Sequence, residues 1–373
     1  MRGKIYEATR AYASEVVEPN IAYSKEHPLT YQQAITLLHI PETMQDADSA
    51  RQRLALEEAT TLQEKVQIRR KRFMESMKAL PCAHDNRLIK PFLESLPFQL
   101  TKAQIRVLAE FREDLSVQHP MRRLLQGDVG SGKTVIAVMA ALMVLESGYD
   151  ASMMAPTTLL AEQHYRTISQ WLAPYPIQVA LHTGNTKTPT KSELPLFTIG
   201  THALIQSNET SKKLGMVIID EQHKFGVTQR DKLLRRGAHP HLLVMTATPI
   251  PRTMGLTLYG DLDISTLEEM PAGRGSLKTY LRTANSRPKV LSFLKKQIGT
   301  GRQAYFVFPR VEEKEESEIT AVTKELSVLS EYFAPFRVAM VHGKMKSEEK
   351  DRIMRSFSDG ETQILLATTV IEV

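Results

Sequence analysis

Eight consecutive residues, Gly127-Asp128-Val129-Gly130-Ser131-Gly132-Lys133-Thr134, have the types and spacing that hold a phosphate chain. Glycines let backbone N–H groups curl around an anion, and the N-terminus of a following helix adds a favourable dipole. In such a loop Lys133 reaches the β- and γ-phosphates and the Thr134 hydroxyl ligates Mg²⁺. A chance match in a chain of this size has odds of roughly 1 in 100. A second group, Asp220-Glu221-Gln222-His223, closes the apolar run Met216-Val217-Ile218-Ile219. An acid at the end of a buried strand can hold the Mg²⁺ shell, which gives that role to Asp220. Glu221 beside it is placed to orient or activate an attacking water. Gln222 and His223 are candidates to sense the γ-phosphate. A solvated turn would explain Asp220-Glu221 alone, but not its pairing with a phosphate loop. As a metal ligand His223 is weaker, since no second His or Cys lies at ligand spacing.

Other strand ends carry polar groups whose roles stay open. Thr246-Ala247-Thr248-Pro249-Ile250-Pro251-Arg252-Thr253 offers hydroxyls that could bond the Asp220-Glu221 loop, or is a Thr/Pro-rich turn. Thr157-Thr158 and Gly200-Thr201-His202 suit a nucleic-acid backbone, or are ordinary helix caps. Gln104 could read an adenine edge ahead of the phosphate loop, yet Thr101-x-x-Gln104 is also a capping box that needs no nucleotide. His239 and His241, flanking a proline, read as structural residues of a loop.

These groups need a scaffold, and the hydrophobic pattern supplies one. Residues 97–275 alternate short apolar runs with helical segments, the mark of an α/β fold with a parallel sheet. Expected strands are Arg123–Gln126, Ala151–Ala155, Leu196–Ile199, Met216–Ile219 and Leu242–Met245, each ending in a polar cluster, where such sheets place ligands. A similar pattern restarts over 276–373, with strands at Ala304–Phe308, Val338–Val341 and Ile364–Ala367 and a helix capped by Ser347. Residues 1–96 read as a helical linker region, with a short helix ending before Pro41 and a longer one from Ser49 to Leu80. Its basic run Arg69-Arg70-Lys71-Arg72 reads as a solvated helix face, with contact to a DNA backbone as the lesser alternative.

Composition narrows the class. With one cysteine, Cys82, there is neither an intrachain disulfide framework nor a multi-cysteine metal site, which fits a reducing cytoplasm. The stretch Val135–Leu145 is too short to span a bilayer and reads as a buried helix. A formal charge of +6 suits a polyanionic partner.

Taken together, these motifs resemble superfamily 2 helicases, and within them the RecG type. Gly127–Thr134 is similar to motif I, Ala155–His164 to motif Ia, Asp220–Val227 to motif II and Thr246–Thr253 to motif III. The likeness continues through Gly260–Asp263, Gly301–Tyr305, Val341–Met345 and Leu366–Val373. The resemblance implies two RecA-like domains that use ATP and Mg²⁺, with Lys133, Asp220 and Glu221 catalytic. It also implies a branched or forked DNA partner held mainly through its backbone, and work in DNA repair and recombination. The Mfd translocases share a similar motor, but Gln222-His223 matches the RecG form. The family's wedge domain would precede Met1, and its arginine-bearing motif VI would follow Val373. On that footing the second RecA-like domain is expected to be truncated, and the chain alone is expected to hydrolyse ATP weakly and not to unwind DNA. The remaining alternative is a nucleotide-gated DNA-binding segment without turnover.

Overall fold

The structure, a computed structural model, describes residues 2–19, 28–80, 82, 85–184, 186–190, 193–206, 213–221, 239–247, 262–269, 278–308, 325–342 and 345–368. The chain divides into two compact units. The first is Met1–Pro156 with His164–Ala272, and the second is Gly273–Val373 with Thr157–Gln163.

The first unit is built on a seven-stranded sheet: β1 Arg122–Gly127, β2 Asp150–Met154, β3 Gln178–His182, β4 Leu196–Gly200, β5 Leu214–Asp220, β6 His241–Thr246 and β7 Asp263–Leu267. Their order is β3-β4-β2-β5-β6-β1-β7, and every pair is parallel. All five expected strands are present. The two missed ones, β3 and β7, are the edges of the sheet. Central parallel strands are covered on both faces and therefore read as unbroken apolar runs. Edge strands are half-exposed, and Gln178-Val179-Ala180-Leu181-His182 and Asp263-Ile264-Ser265-Thr266-Leu267 carry too many polar residues for that signal. Met154, Val217, Ile219, Leu242 and Val244 join Leu124 in one continuous core. His241 opens β6 rather than sitting in a loop, and its burial fits the structural role.

Helix α6, Lys133–Leu145, is buried at every position from Val135 to Leu145, which is why it is apolar all round. At 1.5 Å per residue it is about 20 Å long, short of a bilayer's apolar thickness of about 30 Å. Among the described residues no helix is long and apolar enough to cross a membrane.

Ahead of the sheet lie α1 Arg2–Tyr12, α2 Tyr31–His39, α3 Met44–Ser76, α4 Ile89–Ser95 and α5 Lys102–Ser116. Capping boxes start α2 at Thr30–Gln33 and α5 at Thr101–Gln104. Thr43 and Asp46 bond reciprocally at the start of α3, so this 33-residue helix begins five residues before the expected Ser49. Two arginines tie α3 down. Arg53 is fully buried, with Glu57 at 2.7 Å, Glu18 at 2.9 Å and the Leu29 carbonyl at 3.2 Å. Arg70 sends one amino group to both oxygens of Asp263 on β7, each at 2.7 Å. The basic run is therefore not uniformly solvated: Lys71 and Arg72 are exposed, but Arg70 is a strut to the sheet edge.

The second unit has a parallel three-stranded sheet in the order β8-β10-β9: β8 Ala304–Phe308, β9 Val338–Val341 and β10 Ile364–Thr368. Alternation along β10 fills both faces. Ile364 and Leu366 pack with Ile298, Leu329 and Phe333, whereas Leu365 packs with Val341 and Phe357. The last helix, Ser347–Ser358, has Lys346 at its N-cap, one residue before the expected Ser347. Lys346 keeps extended backbone angles (φ −62°, ψ 146°), so helical geometry starts only at Ser347. Glu348 and Glu349 occupy its first turn, as the dipole argument requires.

Candidate active site

Three adjacent strands of the large sheet bring the candidate residues together. β6 lies between β1 and β5, with Gln126 opposite Thr246 and Asp220 opposite Met245. The phosphate-type loop leaving β1, the acidic pair ending β5 and Thr246-Ala247 therefore emerge side by side. With strands about 4.8 Å apart, the ends of β1 and β5 lie about 10 Å from one another.

The loop has the conformation its glycines permit. Gly130 and Gly132 have φ of 79° and 88°, values that a side chain disfavours. A Cβ on Gly132 would also come within 2.4 Å of the Gln104 side-chain nitrogen. Gly132 occupies the N-cap of α6 and supplies no capping side chain, so the first turn's N–H groups are left to an external acceptor. Asp128, Val129 and Gly130 are exposed at the rim, while Ser131 is buried. Among the described residues the Ser131 hydroxyl has no hydrogen-bond partner. Lys133 folds its ammonium across the loop, donating to the carbonyls of Gly127 (2.8 Å) and Asp128 (3.0 Å). Burial lowers its pKa below the ordinary lysine range, and the negative charges of Glu221, Asp220 and Asp128 partly offset that. The same electrostatic coupling ties the loop to the acidic pair. Thr134 is half-buried in the first turn of α6.

Gln104 is fully buried, with both ends of its amide engaged. Its oxygen accepts Thr101 N–H at 2.9 Å and its nitrogen donates to the Ser131 carbonyl at 2.9 Å. The capping reading is thus realised, and the amide braces the loop as well.

Glu221 has φ of 50°, the left-handed region, at a cost of roughly 1–2 kcal/mol for a residue with a Cβ. Its backbone and its side chain are both held. Its N–H donates to the Met245 carbonyl at 3.0 Å, and its Oε1 accepts Ala247 N–H at 3.1 Å. The Ala247 backbone thus bonds the acidic loop, whereas the expected link was through hydroxyls, of which those of Thr248 and Thr253 lie outside the described residues. Gln222, His223 and Thr248 to Thr253 lie outside the described residues.

One contact escaped the sequence reading, which named His164 only as the end of the stretch similar to motif Ia. His164 Nε2 lies 2.9 Å from Asp220 Oδ2. Its helix, α7 Thr158–Leu172, turns Ala161, Ile168 and Leu172 into the interior. His164 falls on that stripe at helical spacing, and a lone polar residue on an apolar stripe was the available signal. Of the other candidates, Thr157 accepts Leu160 N–H at 3.3 Å, the helix-cap role. Thr201 is buried, leaving the exposed His202 as the accessible member of its loop.

The donor set suits a triphosphate with its cation: uncapped helix N–H groups, a buried orphan hydroxyl and an ammonium on one side, paired carboxylates on the other. Comparison with known proteins finds helicase relatives. Residues 101–256 match the DEAD/DEAH box helicase family, and residues 289–373 match the helicase conserved C-terminal domain. The chain is 43% identical over 95% of its length to the ATP-dependent DNA helicase RecG of Synechocystis, covering 44% of that protein. It is 40% identical over its whole length to RecG of Bacillus subtilis, covering 56%. A structure of RecG bound to a three-way DNA junction superposes with a TM-score of 0.82 at 39% identity, covering 99% of this chain and 50% of that one. The chain thus spans about half the length of the relatives it matches, and its two sheets are the two RecA-like domains of such helicases. By sequence, motifs and fold, the chain belongs to the RecG-type family of superfamily 2 helicases.

Proposed function

We propose that this chain carries the ATP-driven motor of a DNA helicase that remodels branched DNA, by fork regression and branch migration of Holliday junctions in repair and recombination. The observation that carries the reading is the convergence of Lys133, Asp220, Glu221 and Ala247 at three adjacent strand ends, in a chain about 40% identical to named RecG helicases. The branched substrate is supported by a relative's structure with a three-way junction. The lone thiol, Cys82, is suited to a reducing cytoplasm.

In this reading Gly127 to Thr134 wrap the triphosphate, and Lys133 turns its ammonium to the β/γ-phosphates. Thr134 and Asp220 would hold Mg²⁺, which when bound would supply charge neutralisation on the γ-phosphate. Glu221 orients the attacking water and takes up its proton. Ala247, bonded to Glu221, ties the state of that carboxylate to the segment after β6. Gln222 and His223 act as γ-phosphate sensors.

Steady-state hydrolysis with three-way junction DNA, linear duplex or no DNA tests the proposal. Junction DNA should stimulate turnover more than duplex, and Lys133→Ala should lower it by about a hundredfold or more. Turnover unchanged by Lys133→Ala would overturn the assignment of the phosphate loop.

A further inference from the structure

We infer that His164 is a positioning residue for the metal-binding carboxylate, holding Asp220 through a 2.9 Å hydrogen bond from Nε2 to Oδ2. The inference rests on the proposal that Asp220 serves Mg²⁺, and extends it to a residue outside the loops that carry the recognised chemistry.

An ionised carboxylate can only accept hydrogen bonds, so the ring nitrogen facing it carries the hydrogen. The pair is well shielded: the side chains of His164 and Asp220 are 14% and 13% exposed. Shielding strengthens the bond and limits the rotamers available to both groups. His164 is itself fixed from behind, because it belongs to the face of α7 that buries Ala161, Ile168 and Leu172. A rigid helix thus delivers one donor to one oxygen of Asp220. A carboxylate at the end of a strand has a free torsion about Cα–Cβ and would otherwise sample several rotamers. Partners of this kind, which orient a ligand without touching the metal, typically change metal affinity or activity by 10–100-fold when removed.

A purely packing role for His164 makes a different forecast. Loss of packing would weaken nucleotide binding whether or not Mg²⁺ is present, and any side chain filling the space would restore it. A positioning role affects only the Mg²⁺-dependent part, and restoration requires an N–H donor. His164→Gln places an amide N–H near the position of Nε2, whereas His164→Leu fills the space without a donor.

The test measures binding of a fluorescent ADP analogue to the 373-residue chain across a Mg²⁺ titration, with thermal unfolding to confirm that each variant is folded. The wild-type chain should bind more tightly with Mg²⁺. His164→Leu should need about tenfold more Mg²⁺ for the half-maximal effect, with Mg²⁺-free affinity within twofold of wild type. His164→Gln should recover most of the Mg²⁺ effect. A wild-type Mg²⁺ response in His164→Leu overturns the inference, as does an equal loss of Mg²⁺-free and Mg²⁺-bound affinity in both variants. If the wild-type chain itself binds no nucleotide, or binds it without regard to Mg²⁺, the underlying nucleotide reading fails and this inference with it.

Discussion

Gln104 donates its side-chain N–H to the carbonyl of Ser131 at 2.9 Å, so the helix ahead of the sheet braces the phosphate loop from behind. Gly132 must stay bare for this contact, because any Cβ there would collide with the same nitrogen. The brace has a signature that adenine reading lacks. Gln104→Glu keeps the acceptor for Thr101 N–H but sets an oxygen against the Ser131 carbonyl. It should destabilise the protein by about 1–3 kcal/mol and weaken ATP and inorganic triphosphate alike. Competition binding of the two against a fluorescent nucleotide decides the matter. A loss confined to ATP would assign Gln104 to the base.

Glu221 offers a cleaner separation of chemistry from folding. Its backbone strain is held by Met245 and Ala247, and an amide oxygen can accept the Ala247 N–H as well as a carboxylate can. Glu221→Gln should therefore melt close to wild type, retain nucleotide binding, and lose hydrolysis by about a hundredfold or more. Single-turnover hydrolysis alongside binding checks this. Retained turnover would shift the water-orienting role away from Glu221.

Much of this site was legible beforehand because it lies where buried strands end. Met216–Ile219 and Leu242–Met245 are covered on both faces, so their apolar runs announced themselves and located Asp220 and Thr246 at their ends. What escaped were contacts made across long sequence separations. Asp263 meets Arg70 and Asp220 meets His164 only once the chain has folded. The edge strands β3 and β7 escaped for a related reason, since their half-solvated faces dilute the hydrophobic signal. Gln104 was legible only as an ambiguity, because one amide can serve a cap and a ligand with the same two atoms.

The Arg70–Asp263 pair joins α3 to the edge of the sheet and is itself testable. Both side chains are partly exposed, at 29% and 42%, so solvent screens the pair. A double-mutant cycle of Arg70→Ala and Asp263→Ala in urea should give a coupling of about 0.5–1 kcal/mol, falling with added salt. Additive effects of the two substitutions would mean that the strut adds no stability.

Cys82 joins the segment ahead of the sheet to β6 through its neighbour His241, and its chemistry follows from burial. Met121 N–H donates to His241 Nδ1 at 2.9 Å, so the ring's hydrogen sits on Nε2, 3.2 Å from the Leu80 carbonyl. The Cys82 sulfur lies 3.8 Å from that nitrogen and is 3% exposed. Burial pushes the thiol up from 9.0 to about 11. Because the folded value is the higher one, the thiol's contribution is complete below pH 9 and is lost as pH rises from 9 towards 11. The loss is on the order of 2–3 kcal/mol. At pH 8 the folded chain should hold about a hundredfold less thiolate than the unfolded chain, and closed packing slows attack further. An aromatic disulfide reagent at pH 8 should thus label Cys82 at least about a hundredfold more slowly in the native chain than in urea. Comparable native and denatured rates would mean that the junction between Leu80, Cys82 and His241 opens readily in solution, and stability that stays flat from pH 9 to 11 would argue the same way.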